Sequence, residues 1–291
     1  MKVAGFTFVR NGIKYDYPIV EAIESILPIC DIVIVAVGES EDETLGLIKS
    51  IGSDKIRIIE TVWNDDLREG GRVLAVETDK AFQSIPEEYD WCFYIQGDEV
   101  VHEDDLPEIK SKMITYKDRA DVDGLLFKYR HFFGSYDYVG NSPRWYANEI
   151  RVIKNDKSIY SFRDAQGFRK GNNEKLRVVP IDAYINHYGW VKDPRTMQAK
   201  QESFNKLWHD DQWMEENVPK VQQYDYFSNI DSLAKYNRSH PAVMKERIAR
   251  LNWEFNYDIS FNKLSGKHRM KKLLKKIGFD TSYRNYIIVR K

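Results

Sequence analysis

Cysteine is almost missing: 291 residues hold two, Cys30 and Cys92. Both fall beside or within apolar, strand-like runs. That excludes a disulfide framework and reads as the reduced core thiols of an intracellular protein. Long hydrophobic runs are missing too; none approaches the roughly eighteen residues a membrane span needs. After Lys2 only a short apolar stretch precedes Arg10 and Asn11, too little for the core of a signal peptide. The expected location is therefore the cytoplasm. Gly-x-Gly-x-x-Gly does not follow the first strand-like run, and neither a Gly-x-x-x-x-Gly-Lys-Ser/Thr loop nor a Gly-x-Ser-x-Gly elbow occurs. Dinucleotide, P-loop and serine-hydrolase readings lose their main support with them. There is no internal repeat and no low-complexity linker.

Aromatic residues, by contrast, are plentiful at 13%, with seven Trp and eighteen Tyr; exposed rings of this kind grip sugars and bases. The net charge of −1 hides an asymmetry. Residues 262–291 hold ten Lys or Arg against the single acid Asp280, leaving +9 there and −10 on the rest. A basic tail of this kind suits an anionic partner.

The first hundred residues alternate between two periods. Apolar runs at 3–9, 31–37, 55–60 and 90–96 read as strands. Helical spacing follows at Ile19, Val20, Ile23, Ile26 and Leu27, at 44–51 and at about 71–82. Strands separated by helices imply right-handed βαβ units and a parallel sheet. Beyond residue 100 a helix opens at Pro107, strands are expected at 122–129, 149–154 and 181–187, and Pro194 opens a helix to about residue 209. The chain after 210 reads as helical and polar.

The most informative stretch is Asp90-Trp91-Cys92-Phe93-Tyr94-Ile95-Gln96-Gly97-Asp98-Glu99. A buried parallel strand that stops at glycine and two carboxylates delivers acid to the carboxyl edge of the sheet, where open α/β sheets bind ligands. Carboxylates there suit a divalent cation and a phosphate-bearing substrate; the competing reading is a turn that caps the next helix. The acidic turn at 37–44 offers Glu39 and Asp42 to ribose hydroxyls or a base edge; the competing reading is a helix cap by Ser40 or Asp42. Arg68-Glu69-Gly70-Gly71-Arg72 precedes a helix and makes an anion-friendly N-terminus, or a plain surface loop. His187 closes a strand in an aromatic, glycine-bearing segment, and imidazole beside carboxylate favours a Mn2+-like ion. Residues 129–146 pack eight rings into eighteen positions; plain packing accounts for part of them, and turn signals at Gly134, Asp137, Gly140 and Asn141 single out Tyr136, Tyr138 and Trp145 as accessible rings suited to the faces of a sugar.

In order and spacing these features resemble a family-2-type glycosyltransferase of the GT-A fold, over about residues 1–190: Arg10-Asn11 closing the first strand, the acidic turn, Gly70-Gly71-Arg72, and Gln96-Gly97-Asp98-Glu99. The resemblance implies a Rossmann-like α/β fold, a mainly parallel sheet flanked by helices. It implies a nucleoside-diphosphate sugar at the sheet's carboxyl edge and inverting transfer to an acceptor hydroxyl. In that pattern Arg10 and Glu39 or Asp42 bind the donor, Arg72 lies near its base or phosphates, and Asp98 with His187 holds Mn2+ or Mg2+. Gln96 stands where the family has its first aspartate; an amide there accepts from a ribose hydroxyl but binds a cation weakly. Asp164, the lone carboxylate of residues 160–167, is the expected general base, with Glu149 in reserve.

The expected organisation is a GT-A-like domain at 1–210, its nucleotide-sugar half about 1–100 and its acceptor half about 101–210. A helical, basic extension follows at 211–291. The expected partners are a nucleotide-sugar donor and a saccharide or lipid-linked acceptor, with a role in surface glycan or polysaccharide synthesis. The basic segment reads either as a helix with one packed and one solvated face or as a peripheral contact with anionic membrane, and no nucleic acid is expected because the positive charge is local. Two other readings stay open. One is a GT-A-fold binding protein whose chemistry has lapsed, kept alive by Gln96. The other is a sugar nucleotidyltransferase, for which Arg10-Asn11-Gly12 is a poor loop.

Overall fold

The structure, a computed structural model, describes residues 1–218, 221–277, 279 and 284–289. Its first half follows the alternating periods: β1 (Val3–Val9), α1 (Ile19–Ile26), β2 (Ile32–Gly38), α2 (Thr44–Lys49), β3 (Ile56–Thr61), α3 (Arg72–Gln83) and β4 (Trp91–Tyr94). Parallel pairing orders the strands β3-β2-β1-β4. β1, β2 and β4 are buried along nearly their whole length, because helices cover both faces; hence their unbroken apolar runs. Ile19, Ile23 and Ile26 of α1 pack fully buried on one face, and Phe82 of α3 on the other.

The second half adds β5 (Glu99–Val101), α4 (Leu106–Tyr116), β6 (Gly124–Phe133), β7 (Ser135–Gly140), β8 (Asn148–Lys154), β9 (Ile159–Phe162), β10 (Gly167–Lys170) and β11 (Glu174–Trp190). The sheet continues β4-β8-β6-β11-β10-β9. Along the path from β3 to β11 only β8 runs against its neighbours, so the sheet is mainly parallel and the fold class is α/β as expected. Two strands exceed the expected ranges: β6 runs on to Phe133, and β11 spans seventeen residues. The larger difference lies at the end of β4. The strand stops at Tyr94, residues 96–98 turn, and Glu99 opens β5, which pairs antiparallel with β11 at His187. The two adjacent acids therefore part, Asp98 staying in the turn and Glu99 entering the sheet.

The remainder comprises α5 (Pro194–Lys206), α6 (Asp211–Asn217), β12 (Leu233–Lys235), α7 (Lys245–Ala249), α8 (Gly266–Lys276) and β13 (Tyr286–Ile288). The region expected to be a helical extension is thus short helices joined by irregular stretches. It is stitched to the sheet by β12 on β7 and β13 on β11. Arg247 of α7 reaches back to Asp16 at 2.5 Å and Glu21 at 2.8 Å and donates to the Tyr17 carbonyl, clasping the turn between β1 and α1. Part of the basic segment (residues 278, 280–283 and 290–291) lies outside the described residues. Among the described residues no helix is long and apolar enough to cross a membrane.

Candidate active site

The carboxyl ends of the parallel strands open onto a cavity of about 1010 Å³. Arg10 and Asn11 reach it from the end of β1, Gln96 and Asp98 from β4, and His187 and Trp190 from β11. α5 closes one side, and the turn carrying Asp164 and Gln166 closes another. Of the expected site residues, this edge gathers Arg10, Gln96, Asp98, Trp145, Asp164 and His187.

Asp98 and His187 meet where a side chain is missing. A Cβ on Gly189 would lie 2.5 Å from Asp98 Oδ2 and 2.7 Å from His187 Nε2, so only glycine lets carboxylate and ring approach. Their separation is 3.7 Å. The tautomers follow from a chain of contacts. His131 Nε2 lies 2.8 Å from the Tyr146 carbonyl, which can only accept, so that nitrogen carries a proton. Burial, aided by His187, lowers the His131 pKa to about 3, so the ring is neutral and its Nδ1 accepts. His187 Nδ1, 3.3 Å away, is then the donor. This leaves the His187 Nε2 lone pair facing the Asp98 carboxylate.

Two acceptors facing each other need a cation, and the chain supplies one. Lys200 of α5 sets Nζ 3.1 Å from Asp98 Oδ2 and 3.0 Å from the Gly189 carbonyl. Burial alone would raise the Asp98 carboxyl, but Lys200 outweighs it and holds it well below the usual range. Burial opposes the charge of Lys200 as well, yet Tyr17 and Asp98 raise its pKa. The expected Mn2+ or Mg2+ fits this donor set poorly. Its carboxylate oxygen is taken by an ammonium group, and the Gln96 amide nitrogen is turned to the Ala165 carbonyl and Tyr94. Among the described residues no third His, Cys, Asp or Glu joins the pair.

Asp164 sits between two residues in the left-handed region, Arg163 at φ 59° and Ala165 at φ 62°. Non-glycine residues rarely take that conformation, and they do so where surrounding structure enforces it. The turn leans on Gly71, itself at φ 68°, where a Cβ would stand 2.9 Å from that of Asp164. The Gln96 amide ties the Ala165 carbonyl to the end of β4 at 3.1 Å. Burial raises the Asp164 carboxyl, as a proton acceptor working near neutral pH requires.

Several expectations change. Glu149 is 4% exposed and lies off the cavity. Burial pushes its carboxyl up to about 8, Arg151 opposing and Glu99 adding to the rise, and its place off the cavity keeps it from an acceptor hydroxyl bound there. Tyr136 and Tyr138, expected to be accessible, are 6% and 2% exposed and belong to two satellite cores. Arg72 is exposed at the start of α3 and does not line the cavity; Arg68 does, paired with Asp211 at 2.6 Å. Of the acidic turn, Glu41 reaches the cavity. Glu39 is exposed with its carbonyl on Arg10, and Asp42 caps the start of α2 through Thr44 N at 3.0 Å. Trp145 lines the cavity with Tyr146 and Trp190, so the ring wall is there with different members.

Glu99 is an anchor. Arg151 meets it through two parallel 2.8 Å bonds, both side chains being at most 1% exposed. Tyr129 OH adds a bond at 2.6 Å and the Gln96 backbone N–H one at 3.1 Å. Lys200 was missed by sequence reasoning because one lysine among many carries no signal. The clue was its place near Met197 and Phe204 at helical spacing, on the inward face of α5.

The raised carboxyl of Glu149 gives a pH-dependent prediction. Its folded pKa exceeds the unfolded value, so the folded state keeps a proton that the unfolded chain loses. Stability from this group is full below about pH 4.5 and falls as pH rises towards 8. Glu149→Gln should remove that fall, gaining on wild type by at most about 1.4 kcal/mol per pH unit across the window. Urea unfolding at pH 5 and pH 8 measures it; parallel slopes for the two proteins would contradict it.

No family model and no curated protein matches the chain. Solved structures similar to it include S. aureus TarS 1–349 in complex with UDP-GlcNAc (13% identity, TM-score 0.43, 70% of this chain and 65% of that one). A second is 4-diphosphocytidyl-2C-methyl-D-erythritol synthase from Anaerococcus prevotii (14% identity, TM-score 0.38, 70% and 94%). A third is glucosyl-3-phosphoglycerate synthase from Mycobacterium tuberculosis with Mn2+, UDP and phosphoglyceric acid (16% identity, TM-score 0.31, 45% and 43%). The chain thus spans under two thirds of that TarS fragment. At these TM-scores the likenesses carry no argument about chemistry at the site.

Proposed function

We propose that the chain is a glycosyltransferase that moves a sugar, with inversion, from a nucleoside-diphosphate sugar to an acceptor hydroxyl in glycan synthesis. The observation that carries the reading is the meeting, in one large cavity at the sheet's carboxyl edge, of a presented carboxyl (Asp164) with the buried Lys200–Asp98 pair. Asp164 takes the proton of the acceptor hydroxyl. The acceptor oxygen bonds to the anomeric carbon, and the bond to the diphosphate oxygen breaks, its electron pair leaving with the diphosphate. Trp145, Tyr146 and Trp190 offer ring faces to the acceptor, while Arg10 and Glu41 line the donor end.

The test is release of nucleoside diphosphate from a panel of nucleotide sugars. Asp164→Asn should lower it about 10²–10⁴-fold, the span of a positioned general base, with the melting midpoint near that of wild type. Binding without turnover in wild type would favour the lapsed, binding-only reading. Neither binding nor turnover would sink both.

The reading includes a peripheral membrane contact through α8. Met270, Leu273 and Ile277 are exposed at 57%, 57% and 63% at helical spacing, Phe279 beyond them at 65%, and Lys267, Arg269 and Lys271 stand among them. A basic helix with a bare apolar stripe suits an anionic bilayer surface. Co-sedimentation with vesicles rich in phosphatidylglycerol should fall several-fold in Leu273→Asp/Ile277→Asp and in high salt. Equal recovery with neutral vesicles would contradict it.

A further inference from the structure

We propose that Lys200 is the diphosphate-binding cation of this cavity and takes the place of a divalent metal ion. The inference rests on the glycosyltransferase reading and deepens it.

The position belongs to the fold. Asp193 accepts from Arg195 N at 2.9 Å and Pro194 opens α5, which fixes where the helix starts; Met197, wholly buried, fixes which face turns inward. Lys200 follows one turn later on that face and lines the cavity with a side chain 11% exposed. An ammonium group carries three donors. Asp98 and the Gly189 carbonyl take two, and the Tyr17 ring lies 4.9 Å away. One donor is left for a ligand.

The surroundings favour an anion. Lys192, fully buried nearby, donates to the Asp16 carbonyl, and burial lowers its pKa well below the usual lysine range, so Lys200 is the cation that meets Asp98. A dication seated between Asp98 and His187 would stand beside Lys200, and like charges at such range in a buried site repel strongly. A diphosphate is attracted by Lys200. Its natural place is against Lys200, which Asp98 and the Gly189 carbonyl hold in position. When the bond between anomeric carbon and diphosphate oxygen breaks, the added negative charge falls on oxygens facing an ammonium already desolvated and held. Such a group stabilises the departing charge without rearrangement.

Calorimetry with a panel of nucleoside diphosphates, in EDTA and with Mn2+ in excess, tests the proposal. Wild type should bind a member of the panel in EDTA. Lys200→Met should weaken that binding about 10–100-fold, the worth of one charge-assisted hydrogen bond, and Lys200→Arg should restore much of it. Mn2+ titrated into wild type alone and followed by electron paramagnetic resonance should show no tight site, a readout independent of any variant's folding. Binding that requires Mn2+, a tight Mn2+ site in the free protein, or unchanged binding by Lys200→Met in EDTA would each overturn the proposal. Absence of binding by every nucleoside diphosphate under both conditions would instead remove the glycosyltransferase reading, and this inference with it.

Discussion

Asp98→Ala is expected to lower transfer by about 10²–10³-fold, the usual loss when a preorganised electrostatic group is taken from a site. The carboxylate touches Lys200 and faces His187, and it holds the ammonium in place. Removing it frees the ammonium to swing, so Lys200 is lost as a placed charge. The fall should show mainly in kcat, since the charge matters most as the leaving group departs. Asp98→Asn keeps the shape and one acceptor oxygen and should recover part of the rate. Steady-state kinetics on the three proteins, beside their circular-dichroism melts, decides the matter. A wild-type kcat in Asp98→Ala would remove the cluster from the mechanism.

The second large effect concerns stability. Arg151→Met should cost about 3–5 kcal/mol, because it leaves the Glu99 carboxylate buried without its counter-charge. The pair is well satisfied as it stands. Arg151 also donates to the Ile150 carbonyl at 2.9 Å and lies between the rings of Tyr94 and Tyr129. Removing both charges is a different experiment. Glu99→Gln/Arg151→Met should cost less than half as much, since Tyr129 OH still finds an acceptor and no lone ion is buried. Urea unfolding gives the comparison; equal costs for the single and double variants would contradict the account.

How much of this could be read from residues alone varies with the physics involved. β1, β2 and β4 were plain, because strands covered on both faces must be apolar throughout and stop abruptly where they meet solvent or a site. Their carboxyl ends, and so the place of Arg10, Gln96 and Asp98, came with them. The division of Asp98 from Glu99 was hidden, since it depends on β5 pairing with a strand almost ninety residues later. Turn glycines misled at the aromatic stretch. Gly134 does not expose its neighbours: a Cβ there would stand 2.5 Å from the Phe255 ring, so the glycine serves close packing and Tyr138 goes under with it. Gly140 likewise yields its space to Trp145. Asp164 was singled out through family resemblance and Lys200 not at all, because a charged residue on a helix face looks solvated until the other wall of its cavity is known.

The clasp from Arg247 to Asp16, Glu21 and the Tyr17 carbonyl bears on the order in which the molecule becomes competent during synthesis. The βαβ units of the first hundred residues can pair as they emerge, and α5 can dock once β11 has threaded between β6 and β10. The turn bearing Tyr17, which walls the cavity beside Lys200, gains its guanidinium brace only when residue 247 has left the ribosome. A nascent chain halted near residue 210 would hold nearly every group placed in the proposed chemistry, yet lack the guanidinium brace on one wall of the cavity.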